Sequence, residues 1–368
     1  MITSVILFIV ILSILVLVHE AGHFFAARRS GIWVEEFGFG LPPRVFGRKI
    51  GETIYSLNLL PFGGFVRLHG ENSQDSITDE KRAFLNQSKK VRFFVILAGV
   101  FMNFVLAVIS FSIVYAFSGV PKETGNVKIV EVRNGSPADV SGLKSGDIIK
   151  TVNGKYVGSN EEFIDYVEKE KGKEVILQIE REGLKDLIEV KTVPRENPPE
   201  GEGALGVVIS SIEIYYPPLW QRPFIGVYNG FREAFFWAGM VLVGMFGMIG
   251  DLFGGIIPKD VAGPVGIFAI TTEAAKFGVL TLVNFVGILS VNLAILNIVP
   301  FPALDGGRLI FVIAEGIFGR KVLPKVETAI HTVGMVILLM LIFAITAHDI
   351  RRLITEGGIS GYIDSVIK

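Results

Sequence analysis

Leu15-Val16-Leu17-Val18-His19-Glu20-Ala21-Gly22-His23-Phe24-Phe25-Ala26-Ala27 closes a long apolar run at the start of the chain. On a helix, positions four apart lie one turn apart on one face. His19 and His23 can therefore chelate a single zinc ion, and Glu20 stands beside them, placed to take a proton from water at the metal. Met1 to Val18 carries no charge, and the apolar run resumes from Ala21 to Ala27. Ionisable groups in a membrane helix are costly and mark function by default. The bland reading is a histidine pair at the membrane edge with Glu20 snorkelling to the interface. The run lacks a basic n-region and a small-x-small cleavage site, so it reads as a retained helix.

Composition points the same way. Of 368 residues, 50% are hydrophobic and only 19% charged, against about 25% charged in soluble domains. These figures weigh against a wholly soluble protein and rule out a disordered one. The 35 basic and 36 acidic residues leave no nucleic-acid footprint. Cysteine is absent, which removes disulfides, thiolate zinc sites, iron–sulfur clusters and a cysteine nucleophile. Phe93 to Pro121 and Phe277 to Leu304 contain no charge, and Ala329 to Ala347 is broken only by His331. About 20 helical residues cross a ~30 Å hydrocarbon core, so four spans are expected, near 2–27, 93–118, 277–300 and 329–347. Arg28, Arg29 and the basic residues through Lys89, Lys90 and Arg92, with Arg308, Arg320, Lys321 and Lys325, put both short loops in the cytoplasm. Arg351 and Arg352 run mildly against this orientation.

Zinc needs further ligands. His69, His331 and His348 are isolated and read as structural or interfacial. Asp305 is the better candidate, because it ends a broken apolar helix: Asn297-Ile298-Val299-Pro300-Phe301-Pro302-Ala303-Leu304-Asp305-Gly306-Gly307-Arg308. Prolines free backbone groups that lipid tolerates only where protein or a polar cavity satisfies them. A helix-capping aspartate with a Gly306-Gly307 turn fits the same residues. His19 lies roughly 27 Å along the first helix, and Asp305 reaches that depth if Ala234–Gly250, a fifth apolar stretch, does not cross. That stretch is accordingly read as interfacial or re-entrant, with Trp220, Phe231 and Trp237 at headgroup level.

These motifs, in this order, resemble the site-2 protease family of intramembrane zinc metalloproteases, in the bacterial form that cleaves anti-sigma factors and carries one PDZ domain. His19-Glu20-x-x-His23, Gly99 and Asn103, and Asn297, Pro300, Pro302, Leu304, Asp305 and Gly306 carry the likeness, which covers essentially the whole chain; Val100 departs from the proline of many relatives. The resemblance implies zinc held by His19, His23 and Asp305, with Glu20 as the catalytic base. Ile54–Leu60 and Phe65–Leu68 read as strands around Pro61-Phe62-Gly63-Gly64. On their own they make a small cytoplasmic hairpin; the resemblance makes the segment 54–68 a re-entrant β-loop. The expected substrate-holding residues are Asn297, Gly63, Gly64 and Asn103.

Val127 to Val193 alternates strand-like and helix-like runs, with a hairpin signal at Asn153-Gly154 and a capping box at Ser159 and Glu162. It resembles a PDZ domain, which serves either to bind peptides by strand addition or to exclude bulky substrates. The expected fold is an α-helical polytopic membrane protein, with four transmembrane helices and a re-entrant β-loop, and an inserted α+β PDZ domain. Residues 1–120 form the first half of the membrane core, 121–195 the extracytoplasmic PDZ domain, 196–276 a linker with interfacial helices, and 277–368 the second half. The implied function is zinc-dependent cleavage of single-span membrane proteins, such as anti-sigma factors, in the bacterial inner membrane after their external domains are removed. The active site lies near the cytoplasmic side, and the bilayer, not nucleic acid, is the other partner. A catalytically silent membrane scaffold with a PDZ adaptor competes, against which the intact Glu20 argues. A metal transporter would show internal repeats, and none is visible.

Overall fold

The computed structural model describes residues 2–71, 77–184, 186–254, 262–319, 324–359 and 361–362. Arg320 and Lys321, used above for orientation, lie outside them, as does 255–261 of the expected interfacial stretch. The chain runs α1 (Ile2–Arg29), β1 (Val34–Ile50), β2 (Thr53–Leu68) and α2 (Lys89–Ser118). There follow β3 (Val120–Val132), α3 (Pro137–Val140), β4 (Ile148–Val152), β5 (Lys155–Tyr156), α4 (Asn160–Lys169), β6 (Val175–Glu180), β7 (Ile188–Thr192) and β8 (Val207–Tyr215). Last come α5 (Arg222–Phe253), α6 (Pro264–Lys276), α7 (Val279–Ile298), α8 (Asp305–Phe318) and α9 (Pro324–Thr355). Two compact units result: Gly119–Pro217, and the remainder on either side of it.

The inserted unit is an antiparallel sheet in the order β7-β6-β4-β3-β8, with β5 paired to β4. Val127, Ile129, Ile149, Leu177 and Ile179 are fully buried on its inner face, and Phe163 and Val167 of α4 close over them. α4 starts where expected: Ser159 Oγ accepts the Glu162 N–H at 3.2 Å, and Glu162 Oε2 accepts the Gly158 N–H at 2.9 Å. Asn153 and Gly154 both take positive φ, as a tight β4–β5 turn requires. The unit runs beyond the expected end at 195. Past Pro194, Pro198 and Pro199 the chain returns as β8, whose Ile209 and Ser210 pair with Ile129 and Lys128.

In the other unit α2 is the hub, with 44% of its apolar stretch buried against 6% for α9. The outer helices leave large apolar side chains exposed, Phe343 at 76% among them, a surface that water would not tolerate but lipid does. α5 corrects the expectation for 234–250. That stretch is the middle of one unbroken 32-residue helix, not a re-entrant segment, so among the described residues five helices, not four, are long and apolar enough to span. α5 packs antiparallel on α2 through small residues: a side chain on Gly226 would strike the Ser112 carbonyl at 2.7 Å, and one on Gly230 the Val108 carbonyl at 2.7 Å. Further along, Phe104 and Phe235 meet ring to ring at 5.1 Å. The expected depth of Asp305 rested on counting four long apolar runs. α6 has 13 residues, ~20 Å at 1.5 Å per residue, too short to register as a span.

The expected strands after residue 54 are present, but they are half of the structure. β1 was not foreseen, and the two strands fold back so that Glu36 sits opposite both Ile54 and Arg67, and Phe39 opposite both Leu57 and Gly64. Phe24, Phe37 and Tyr55 pack ring on ring where this sheet meets α1. Phe24, Ile32, Val34, Leu68, Val95 and Leu309 form the core that joins α1, the sheet, α2 and α8.

Candidate metal centre

α1 and α2 cross where neither helix has a side chain. A Cβ on Gly22 would lie 2.7 Å from the Ala98 carbonyl carbon and 2.9 Å from Gly99 Cα. A Cβ on Gly99 would lie 2.7 Å from Cε1 of both His19 and His23. The two imidazoles therefore rest on the bare backbone of α2. His19 is ten residues from the end of α1 and Gly99 ten from the start of α2, about 15 Å in each case, so both helices place the crossing at one depth.

Asp305 arrives from the far end of the sequence. α7 stops at Ile298, since prolines 300 and 302 cannot continue its ladder, and α8 begins at Asp305. Gly306 and Gly307 let the Val299–Leu304 bend fold onto the first turn of α8: a Cβ on Gly307 would stand 2.5 Å from the Phe301 carbonyl oxygen. Asp305 Oδ2 comes to 3.0 Å from His19 Nε2 and 3.1 Å from His23 Nε2, and the two Nε2 atoms are 3.2 Å apart. Among the described residues, these three are the cluster whose donor atoms lie mutually within 4.8 Å. Together with Glu20, Phe65, Val66 and Arg308, they line a cavity of about 380 Å³.

The donor set fits a divalent cation. His23 Nδ1 donates to the Val95 carbonyl at 2.8 Å, which in the neutral ring leaves Nε2 as a bare lone pair aimed at the carboxylate. Asn103 is fully buried with its Nδ2 3.2 Å from His19 Nδ1, while its Oδ1 has no partner among the described residues. Turning that amide over lets Oδ1 accept from His19 Nδ1–H and frees His19 Nε2 as a second lone pair. Two lone pairs and a carboxylate converging within hydrogen-bond distance repel one another unless a cation lies between them. Nitrogen and carboxylate donors with no sulfur suit zinc.

The profile of peptidase family M50 matches residues 7–341. This chain belongs to that family. As an M50 peptidase it is a membrane-embedded zinc metalloprotease. A protein of Clostridium perfringens is 36% identical over 338 residues, covering 92% of this chain and 96% of its own. The zinc metalloprotease RasP of Shouchella clausii is 31% identical, covering 94% and 98%. The PDZ domain of an SdrC-like protein from Listeria monocytogenes aligns with 24% of this M50 chain and 93% of its own length, at 23% identity and a TM-score of 0.21.

The expected site residues of the peptidase separate into groups. His19, His23, Asp305 and Glu20 line one cavity. Gly64 lies beside them, where a Cβ would be 3.6 Å from Glu20 Cγ, and Gly63 before it in β2 takes φ 92°. Asn103 does not fit the expected substrate contact, since it is 0% exposed and spends its side chain on His19. Asn297 sits half-buried in the last turn of α7, outside the residues that line the cavity. Glu71 and Arg308 were missed. They pair across the cavity wall, and Glu71 Oε2 also accepts the Leu68 N–H at 3.2 Å. Glu71 beside it raises the Arg308 guanidinium further above its ordinary range. Arg308 carried only an orientation signal in the sequence, because its partner lies 237 residues away.

Proposed function

We propose that this M50 peptidase is an intramembrane endopeptidase that cleaves single-span membrane proteins, anti-sigma factors among them, once their external domains have been removed. The observation that carries this reading is the convergence of His19, His23 and Asp305 beside Glu20 at the crossing of two apolar helices. In this reading His19, His23 and Asp305 are the protein ligands. Zinc, when bound there, supplies Lewis acidity to the scissile carbonyl. The Glu20 carboxylate takes a proton from the attacking water and returns it to the leaving amine nitrogen. Asn103 and the Val95 carbonyl hold the two rings in the tautomers that ligation requires. A helical substrate hides its carbonyls in i to i−4 bonds, so it must unwind locally before attack. Gly64, next to Glu20, offers strand backbone without a side chain where the unwound segment would lie.

The orientation proposed is an inner-membrane protein with the inserted unit outside and the site nearer the cytoplasm. The basic ends of α1 and α2, Arg28, Arg29, Lys89 and Lys90, support it. The cysteine-free chain makes the test direct: Lys173→Cys should react with an impermeant thiol reagent added outside, and Arg48→Cys should not. Asp251→Cys reports whether α5 crosses beside α2. For the activity, Glu20→Gln should retain zinc and lose cleavage of a shortened single-span substrate. Undiminished cleavage by Glu20→Gln would sink the protease assignment of Glu20 and return the scaffold to contention.

A further inference from the structure

Ala303 adopts φ 82°. The left-handed region costs a residue with a Cβ, and it persists only where the surroundings hold it. Ala303 lies two residues before Asp305, in the bend that ends α7 and starts α8. What holds it comes from α9. The Ala303 N–H donates to His331 Nδ1 at 3.0 Å. One turn further along α9, Gly334 lets Pro302 press against the helix, where a Cβ would stand 2.6 Å from the Pro302 carbonyl oxygen. Phe311 of α8 packs on the His331 ring, with centroids 5.6 Å apart.

His331 thus touches the strained residue and the helix that Asp305 begins, while standing outside the ligand cluster itself. Its Nδ1 accepts, so the ring proton sits on Nε2, which has no partner among the described residues. The imidazole's one such bond is the one to Ala303. It borders a second cavity of about 370 Å³, which shares Glu71, Phe84, Ile96, Arg308 and Met335 with the first.

We propose that His331 is a positioning residue of the metal centre: by accepting the Ala303 N–H it holds the bend that presents the Asp305 carboxylate to the two imidazoles. This rests on the reading of Asp305 as the third ligand. Partners that orient a ligand are worth roughly ten- to a hundredfold in metal affinity, and His331 acts one step further out, through the backbone.

The test uses the full chain in detergent and follows zinc loss to a chelator alongside substrate cleavage. His331→Leu should lose zinc about tenfold faster than the parent, and His331→Asn, which keeps an acceptor near Nδ1, should stay within about twofold. Adding Ala303→Gly to His331→Leu should restore most of the retention, because glycine takes φ 82° without strain. Asp305→Asn separates the two claims. If Asp305→Asn loses zinc while His331→Leu keeps it like the parent, the proposal is overturned and the ligand assignment stands. If Asp305→Asn itself keeps zinc and cleaves, the ligand assignment falls first. If His331→Leu loses zinc and neither His331→Asn nor Ala303→Gly recovers it, His331 is a packing residue only and the proposal is likewise overturned.

Discussion

Replacing Gly99 by alanine adds one methyl group at the point where both imidazoles lie on α2. Its Cβ would stand 2.7 Å from Cε1 of His19 and of His23, with His23 Nε2 closer still. Carbon atoms pack at about 3.5–4.0 Å, so the rings must retreat by roughly 1 Å. Parting the helices to absorb the overlap would open the side-chain-free approach of Gly22 to Ala98 one residue away. Zinc–nitrogen bonds are ~2.0–2.1 Å with a tolerance near 0.2 Å, so a 1 Å shift is several times what the centre can take. We expect Gly99→Ala to lose bound zinc and at least about a hundredfold in kcat/KM. Metal content by mass spectrometry and cleavage of a single-span substrate measure the two effects. Gly239→Ala is the matched control: nothing lies within 4 Å of its Cβ position, and alanine there should stabilise α5 by about 0.5–1 kcal/mol. If Gly99→Ala binds zinc fully and cleaves within threefold of the parent, the packing argument for the centre is refuted.

Asn103→Leu removes the partner of His19 and should weaken zinc binding by about ten- to a hundredfold, read by chelator competition. Gly64→Leu should do the opposite: its Cβ meets Gly38 O at 3.0 Å and Glu20 Cγ at 3.6 Å, so zinc stays and cleavage falls by about a hundredfold. Normal cleavage by this variant would count against strand docking at β2. Gly230→Leu drives a side chain into the Val108 carbonyl and should lower stability by about 1–3 kcal/mol, seen as a lower melting temperature in detergent. Arg181→Leu strands the buried Asp147 carboxylate, which Arg181 Nε reaches at 2.6 Å. The inserted unit should lose about 2 kcal/mol, less than a fully buried pair because Arg181 is partly exposed; limited proteolysis of Gly119–Pro217 would show it.

The four residues that line the centre were legible because each stands out chemically from its surroundings. His19, Glu20 and His23 are ionisable groups in an apolar helix, and Asp305 ends a long uncharged run. α4 and the Asn153-Gly154 hairpin were legible because caps and turns are written in adjacent residues. What was hidden depends on partners far apart. β8 looks like linker until β3 pairs with it. β1 alternates Val34, Glu36 and Gly38 with Glu35, Phe37 and Phe39, too mixed a pattern to declare a strand. The buried amide of Asn103 reads as substrate contact in a linear motif and as a ring support once its distance to His19 is known.

Glycine ties these observations together. Gly22 and Gly99 let α1 meet α2, Gly306 and Gly307 let the bend fold onto α8, and Gly334 lets α9 hold that bend. Lipid offers helices no hydrophobic drive to associate, so close backbone approach must come from residues without side chains. The centre is assembled from segments 282 residues apart, and at each of these five glycines an added Cβ would collide with a neighbouring segment. The glycines of α5 beyond Gly230, at 239, 244, 247 and 250, meet nothing. It follows that the same residue type is indispensable at five positions and replaceable at four within one unit. An alanine scan of these nine should divide them on zinc retention along that line. Loss of zinc from Gly244→Ala or Gly247→Ala, or its retention by both Gly306→Ala and Gly99→Ala, would break the link between close approach and metal binding.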